Sequence, residues 1–341
     1  MVNRTDINSF MLKFCSSPWT TVNISANGQV SLCLCGRWAI DHKNVIGNLH
    51  KTSLKSMFAI GQVEEFRNSI LDQSYRYCDA TQCGKMWNLD QVESFDIVKS
   101  YPNLPTHLML AIDSTCNLTC GICRFRTNYS PLINSDAQQI LKFLKESYKD
   151  FDHPVLFQGD GSGDIFSSAT YLEFLSSDDL PNCFQFSFLT NGTLLSKNLE
   201  LVERLHKKIR FLTVSFDAAT VETYKRVRGA NFNIVLDGIK AAIDMGICIT
   251  TQFVLQRENY QEVLAYRDLC LKLGVMHMGM QKIFRTSHMT DQWWEHNNVE
   301  DTNSAVDYNQ LIPSLEQFKL THNAGVDGRI NTMIDQYRSS I

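Results

Sequence analysis

An α/β fold of parallel β/α units, forming a partial (β/α)6 TIM-like barrel preceded by a small cysteine-rich domain, is predicted by three features of the sequence. From His107 onward, six apolar strand-like runs alternate with helical stretches. The first hundred residues lack that alternation. Eight of the eleven cysteines (Cys15, Cys33, Cys35, Cys78, Cys83, Cys116, Cys120, Cys123) fall in the first 123 residues, whereas Cys183, Cys248 and Cys270 are scattered singly. Strands separated by helices pair in parallel through right-handed crossovers, which curl the sheet into a barrel or an open part of one. Ligands of such sheets bind at the carboxyl ends of the strands.

The array opens with the strand His107-Leu-Met-Leu-Ala-Ile-Asp, followed by a helix from Asp136 to Tyr148 with apolar Ile140, Leu141, Phe143 and Leu144. Pro154-Val-Leu-Phe-Gln is the second strand, and Tyr171 to Leu175 sits in the next helix. Phe184-Gln-Phe-Ser-Phe-Leu, Phe211-Leu-Thr-Val-Ser-Phe, Ile249-Thr-Thr-Gln-Phe-Val-Leu and His277-Met-Gly-Met-Gln-Lys-Ile follow as strands, with helices near 196–207, 233–245 and 260–273 between them. Before the array, Thr20–Leu34 reads as a hairpin whose Asn27-Gly28 is a strong turn signal, and helices are expected over Ser53–Ile60 and Gln62–Leu71. After it come Trp293-Trp294, expected outside a helix as a packing plug or a substrate-stacking lid, and helices near 313–320 and 328–339. The expected segments are therefore a cysteine-rich domain (1–97), the barrel (98–285) and a helical extension (286–341).

Composition narrows the function classes. The 341 residues suffice for about two domains. Hydrophobic residues at 44% and charged residues at 20% exclude a disordered or fibrous chain. A net charge of -4 gives no global reason to bind nucleic acid. No apolar run is long enough to cross a membrane, and the polar start does not read as a signal peptide, so a cytoplasmic protein with no membrane partner is expected. In a reducing compartment, clustered cysteines favour thiolate ligation of metal over disulfides. The isolated Cys183, Cys248 and Cys270 are expected as buried small hydrophobes.

Cys116-Asn-Leu-Thr-Cys120-Gly-Ile-Cys123 offers three thiols in the loop after the first strand. Three thiolates leave one position of a four-iron cluster open, whereas a zinc site would borrow a distant fourth ligand. Gln158-Gly-Asp-Gly-Ser-Gly-Asp164 follows the second strand, Thr190-Asn191-Gly ends the third and Ser215-Phe-Asp217-Ala ends the fourth, before Glu222-Thr-Tyr-Lys-Arg-Val-Arg228-Gly229. The glycine run departs from the dinucleotide-loop pattern, because Asp164 stands where the third glycine belongs, and no Lys-Ser/Thr follows for a P-loop.

These segments together resemble the radical S-adenosylmethionine (radical SAM) enzymes. The resemblance implies that Cys116, Cys120 and Cys123 hold a 4Fe-4S cluster whose open iron takes SAM, which is reductively cleaved to a 5′-deoxyadenosyl radical that abstracts hydrogen from a substrate. It implies SAM contacts from Ser162, Gly163 and Asp164, which match the family's Gly-Gly-Glu segment with two replacements, and from Thr190 and Asn191. Ser215 would face the ribose and Arg228 the SAM carboxylate, with Gln252 and Gln256 as further contacts and Ile122 in the position that packs on adenine. Gly163 would admit the SAM amino group by its lack of a side chain.

Cys15, Gly28, Cys33, then Ile46-Gly-Asn-Leu49, Ser53-Leu54, Phe66-Arg67 and finally Cys78 and Cys83 resemble a SPASM/twitch module, placed before the barrel instead of after it. The likeness implies a second, auxiliary 4Fe-4S cluster on Cys15, Cys33, Cys78 and Cys83, with Cys35 spare or substituting; a zinc knuckle is the alternative. Relatives with such a module mostly modify ribosomally synthesised precursor peptides, by crosslinking, epimerisation or residue excision. Dehydrogenation of a sugar or other small molecule is a second reading. A non-enzymatic iron–sulfur module is a third, and it would have no need of Gly163, Ser215 and Arg228 around an open cluster. The flanks before Cys15 and after Arg285 are too short for an appended leader-binding domain, so a separate small recognition protein is the expected partner, together with an electron donor such as a flavodoxin or ferredoxin.

Overall fold

A computed structural model describes residues 11–33, 43–79, 83, 90–93, 101–123, 130, 132–159, 162–287, 289–300, 306–326 and 328–340; Cys35, Asp160 and Gly161 lie outside them. The chain forms two compact units: Met1–Ile112 with Ser135–Gln158 and Leu180–Phe184, and Asp113–Asn134 with Gly159–Asp179 and Gln185–Ile341.

The first unit carries β1 (Met11–Phe14), α1 (Ser17–Thr20), β2 (Thr21–Ser25), β3 (Gln29–Leu32), β4 (Val45–Asn48), α2 (Leu54–Phe58), α3 (Gly61–Leu71), β5 (Asp90–Glu93), β6 (His107–Ala111), α4 (Ser135–Tyr148) and β7 (Val155–Gly159). The expected hairpin is β2–β3. Gly28 at its turn has φ +75°, where an added Cβ would come within 2.5 Å of His50, so the position requires glycine on two grounds. Asn48 Nδ2 donates to the Asn27 carbonyl at 2.8 Å and laces β4 to the same turn. Strand β2 of the hairpin also pairs in parallel with β6, from Thr21 opposite His107 to Ser25 opposite Ala111. A two-stranded antiparallel pair, β1 with β5, was not foreseen. Helix α4 buries Ala137, Ile140, Leu141, Leu144 and Tyr148, whereas Phe143 stays 41% exposed on another face. The Tyr148 hydroxyl donates to the Pro105 carbonyl at 2.7 Å, so the ring is buried with its polar tip satisfied.

The second unit carries α5 (Ala169–Leu175), β8 (Phe184–Thr190), α6 (Leu199–Arg204), β9 (Ile209–Ser215), α7 (Val221–Arg228), α8 (Phe232–Asp244), β10 (Ile249–Leu255), α9 (Val263–Leu273), β11 (His277–Lys282), α10 (Asp291–Asn297), α11 (Tyr308–Lys319), β12 (Ala324–Val326) and α12 (Gly328–Ser340). Strands β8, β9, β10, β11 and β12 neighbour one another in that order, and the registered pairs are parallel. The predicted alternation of parallel strands and helices is thus the fold class observed. Helix α7 starts at Thr220, whose hydroxyl accepts from the Thr223 N–H, and stops at Gly229 in the left-handed region, φ +65°. Under α7 and α8 lies an aromatic core in which Phe216 meets Tyr224, Phe232 and Tyr266 at centroid distances of 5.8, 5.3 and 6.3 Å. Contrary to expectation, Trp293 and Trp294 lie within a helix, α10, because Thr290 caps it by accepting from the Trp293 N–H. The scattered cysteines also divide: Cys270 is buried, but Cys183 and Cys248 are only half-buried. No helix among the described residues is long and apolar enough to cross a membrane.

Phe216 is wholly buried among those rings, so Phe216→Ala is expected to cost about 3–5 kcal/mol of stability, read as a lowered urea midpoint with unchanged slope.

Candidate active site

Within the second unit lies an open pocket. Cys116, Cys120 and Cys123 line it, with Ile122 from the same loop, Gly163 and Asp164, Thr190 and Asn191 at the end of β8, and Arg228 at the end of α7. Two residues of its wall are set side by side by register: Ser215 of β9 stands opposite Gln252 of β10, which on its other side stands opposite Gly279 of β11. A Cβ on Gly279 would fall 2.5 Å from Gln252 Oε1, so the glycine makes room for that carboxamide. The strand-end placement of these side chains is the one expected for an α/β sheet.

The Cys116 and Cys120 thiols are met by N–H donors. Cys116 Sγ accepts from the Leu118 N–H at 3.5 Å and from Asn191 Nδ2 at 3.6 Å, and Cys120 Sγ accepts from Arg228 Nη1 at 3.8 Å. Burial pushes the Cys116 thiol up to about 11 and also raises that of Cys120, against which Arg228 pulls down. Donors aimed at sulfur suit a thiolate far better than a thiol, which is a weak acceptor. Among the described residues no three His, Cys, Asp or Glu side chains converge as ligands of a single ion would. A four-iron cluster takes each thiolate on a separate iron, so the donor-supported sulfurs of Cys116 and Cys120, with Cys123 in the same pocket wall, fit that group.

Arg228 is held by Asp217, a residue that sequence reasoning quotes but gives no role. Arg228 Nε meets Asp217 Oδ2 at 2.5 Å, with the aspartate fully buried and the arginine side chain 10% exposed. Asp217 Oδ1 also accepts from the Val254 N–H at 2.6 Å. Burial works against the Arg228 charge, but Asp217 and Cys120 outweigh it and raise its pKa, while burial raises that of Asp217 against the pull of Arg228.

Asp164 faces inward. Its Oδ2 accepts from Thr190 Oγ1 at 2.8 Å and the Asn191 N–H at 2.6 Å, and its Oδ1 from the Phe166 N–H at 3.1 Å. Burial raises its pKa while these donors oppose the rise. Ser162 is not in the pocket wall; its hydroxyl donates to the Asp113 carbonyl at 2.9 Å. Gly163 owes its missing side chain to packing: a Cβ there would lie 2.3 Å from the Thr115 carbonyl oxygen and 2.7 Å from that of Asp113. Gln256 is buried away from the pocket wall, and its Nε2 has no hydrogen-bond partner among the described residues.

In the first unit Cys15 and Cys78 pack beside Phe14, Trp19 and Ile70 together with Tyr75. Burial, with Cys15 and Cys78 nearby, pushes the Tyr75 hydroxyl up to about 12. Cys33 sits at φ +57° with its N–H on the Thr21 carbonyl, and the Cys83 N–H donates to the Asp79 carbonyl at 2.9 Å. Arg67 lies over Phe58 and Trp19 at 4.6 and 5.9 Å.

Sequence reasoning missed part of the site. Gln281, Lys282, Ile283 and Phe284 also line the pocket at the end of β11, where only the strand itself was legible. Trp293 seats its indole on Gly121 of the cysteine loop, since a Cβ there would lie 2.8 Å from Nε1 and 2.9 Å from Cζ2. The packing role foreseen as one option for Trp293 is therefore present.

Comparison with known proteins adds to this geometry. The family profile "Radical SAM superfamily" matches residues 112–270, and a profile described as an iron–sulfur cluster-binding domain matches residues 15–84. A "Probable GTP 3′,8-cyclase" of Saccharolobus islandicus (strain M.14.25 / Kamchatka #1) is 30% identical over 217 residues, 63% of this chain and 68% of that protein. The "Antilisterial bacteriocin subtilosin biosynthesis protein AlbA" of Bacillus subtilis (strain 168) is 28% identical over 166 residues, 47% of this chain and 35% of that one. Among solved structures, Streptococcus suis SuiB aligns with a TM-score of 0.48 at 13% identity, covering 81% of this chain and 58% of SuiB.

Gly279→Ala is expected to displace the Gln252 carboxamide and, with Gln252 in the SAM contact that the sequence resemblance implies, to weaken SAM binding about tenfold, the worth of one hydrogen bond, measured by calorimetry on the reconstituted protein. Asp217→Ala strands the buried Arg228 charge and is expected to cost about 3–5 kcal/mol of stability, with Phe216→Ala as the comparison for a purely apolar loss.

Proposed function

Because the chain belongs to the radical SAM superfamily, as an enzyme that uses 4Fe-4S clusters and SAM, we propose that it modifies a ribosomally synthesised precursor peptide. A peptide substrate is supported by the iron–sulfur cluster-binding region at 15–84 beside the radical SAM region, together with the likeness to AlbA, a protein of bacteriocin biosynthesis. The chemistry supplied by the cofactors is one-electron cleavage of SAM and hydrogen abstraction by the resulting 5′-deoxyadenosyl radical.

In this reading Cys116, Cys120 and Cys123 ligate the catalytic cluster, and Cys15, Cys33, Cys78 and Cys83 an auxiliary one. Ile122, Gly163, Ser215, Arg228 and Gln252, which line the pocket, hold SAM. Asp164 and Thr190 act through the backbone they fix, because the carboxylate and hydroxyl are already bonded to each other. Ser162 acts in the same way through the Asp113 carbonyl. Arg228 supplies a fixed cation where thiolates and the SAM carboxylate gather, and Asp217 keeps it from following either. Residues 1–97, 98–285 and 286–341 are read as auxiliary domain, barrel and extension. An external one-electron donor of the flavodoxin or ferredoxin kind and a separate leader-recognition protein complete the proposed system.

A small-molecule substrate is the second reading, favoured by the likeness to GTP 3′,8-cyclases. The two separate in one experiment. Anaerobically reconstituted protein is expected to hold about eight irons, falling to about four in the Cys116/Cys120/Cys123→Ala variant, which also loses 5′-deoxyadenosine formation under dithionite. Given SAM and reductant, wild type should change the mass of a precursor peptide encoded beside it and leave GTP unchanged. Turnover of GTP with the peptide intact would overturn the peptide reading in favour of the second.

A further inference from the structure

Asn191 touches the cysteine loop in a way that no SAM contact requires. Its Oδ1 accepts from the Thr193 N–H at 2.9 Å and from Thr193 Oγ1 at 2.6 Å. A backbone N–H can only donate, so the oxygen of the carboxamide must face Thr193 and the nitrogen must face the other way. That nitrogen donates to Asn117 Oδ1 at 2.9 Å and to Cys116 Sγ at 3.6 Å. Asn117 is in turn oriented, accepting from Ser167 Oγ at 2.9 Å and donating through Nδ2 to Thr193 Oγ1 at 2.8 Å. Each member of this ring fixes the next, and one N–H is left pointing at sulfur.

From this geometry we propose that Asn191 sets the reduction potential of the cluster held by Cys116, Cys120 and Cys123, through its N–H on the Cys116 sulfur. The proposal rests on Cys116 being a cluster ligand. The reduced cluster carries one more negative charge than the oxidised one, so a donor at sulfur stabilises the reduced form and raises the potential. Asn191 is a positioning residue in this role, since it acts through the thiolate. Of the three donors to the Cys116 and Cys120 sulfurs among the described residues, it is the one that substitution can isolate. The Leu118 donor is backbone, and Arg228 is also committed to Asp217.

The test is an EPR-monitored redox titration of the reconstituted full chain without SAM, with dithionite as the electron source. Signals that persist in the Cys116/Cys120/Cys123→Ala variant belong to the auxiliary cluster and are subtracted. Asn191→Asp keeps the acceptor for Thr193 but replaces the N–H by an oxygen facing sulfur. It should retain wild-type iron and shift the remaining midpoint negative, by about tenfold in the reduction equilibrium or about 59 mV for one electron. Asn191→Ala, which removes donor and repulsion alike, should shift it less, in the same direction. An unchanged or more positive midpoint in Asn191→Asp overturns the proposal, as does loss of the cluster from both variants, which would make Asn191 a clamp only. Survival of every signal in the triple-cysteine variant would instead overturn the ligand assignment beneath it.

Discussion

The buried Asp217–Arg228 ion pair is the contact on which the geometry of the second unit depends. A desolvated pair of charges is stable only where further hydrogen bonds satisfy its remaining atoms. Asp217 meets that condition, taking the Val254 N–H on its other oxygen, while its own carbonyl accepts from Asn259 Nδ2 at 2.9 Å. The pair therefore joins the end of β9, the end of α7 and the end of β10. Arg228 carries the link onward to Cys120, by Nη1 on the sulfur and by its carbonyl, to which Cys120 Sγ lies at 3.6 Å. Two apolar residues of similar volume could join the same elements, but they would bring no positive charge to a buried place where thiolates collect.

A second polar hub uses short side chains for the same purpose. Asp113, buried at the start of the cysteine loop, accepts from the Thr115 N–H at 3.0 Å and from Ser168 Oγ at 2.6 Å, and Ser168 caps α5. Asp164 binds the end of β8, and its own N–H returns to the Thr115 carbonyl at 2.8 Å. The loop bearing Cys116 is thus fastened to the loop after β7 and to the end of β8 before any cluster is considered. Small side chains leave few rotamers to freeze, so the fastening costs little conformational entropy.

How much of this was legible in the sequence follows from the range of each signal. Strand and helix alternation is local, and all six barrel strands stand where periodicity placed them. The thiol triplet was legible from spacing, and Ser215, Arg228 and Gln252 from family likeness; all lie in one pocket wall. What was not legible depends on pairing across the fold. Phe143 has an apolar side chain at a helical position but falls off the buried face. Gly163 was expected to make room for a ligand, yet the carbonyls of residues 113 and 115 are what exclude a side chain there. The orientation of Asn191 could not be foreseen, because it is decided by Thr193 and Asn117, which carry no motif of their own.

The two groups of cysteines differ in what holds them. The Cys116 loop is braced by hydrogen bonds among neutral and charged side chains that exist without iron. The first unit contains backbone conformations that need support: Cys33, Gln73 and Tyr75 all have positive φ, at 57°, 59° and 46°, without being glycine. Such residues cost about 1–3 kcal/mol each and persist only where their surroundings over-determine them. Around Tyr75 the neighbours are Cys15 and Cys78. Thiolate ligation by those residues would add to that constraint, since a metal site absent from the unfolded chain contributes its binding free energy to folding. Iron at the first unit would then act on the order of the chain, whereas iron at the second would act on a frame already built.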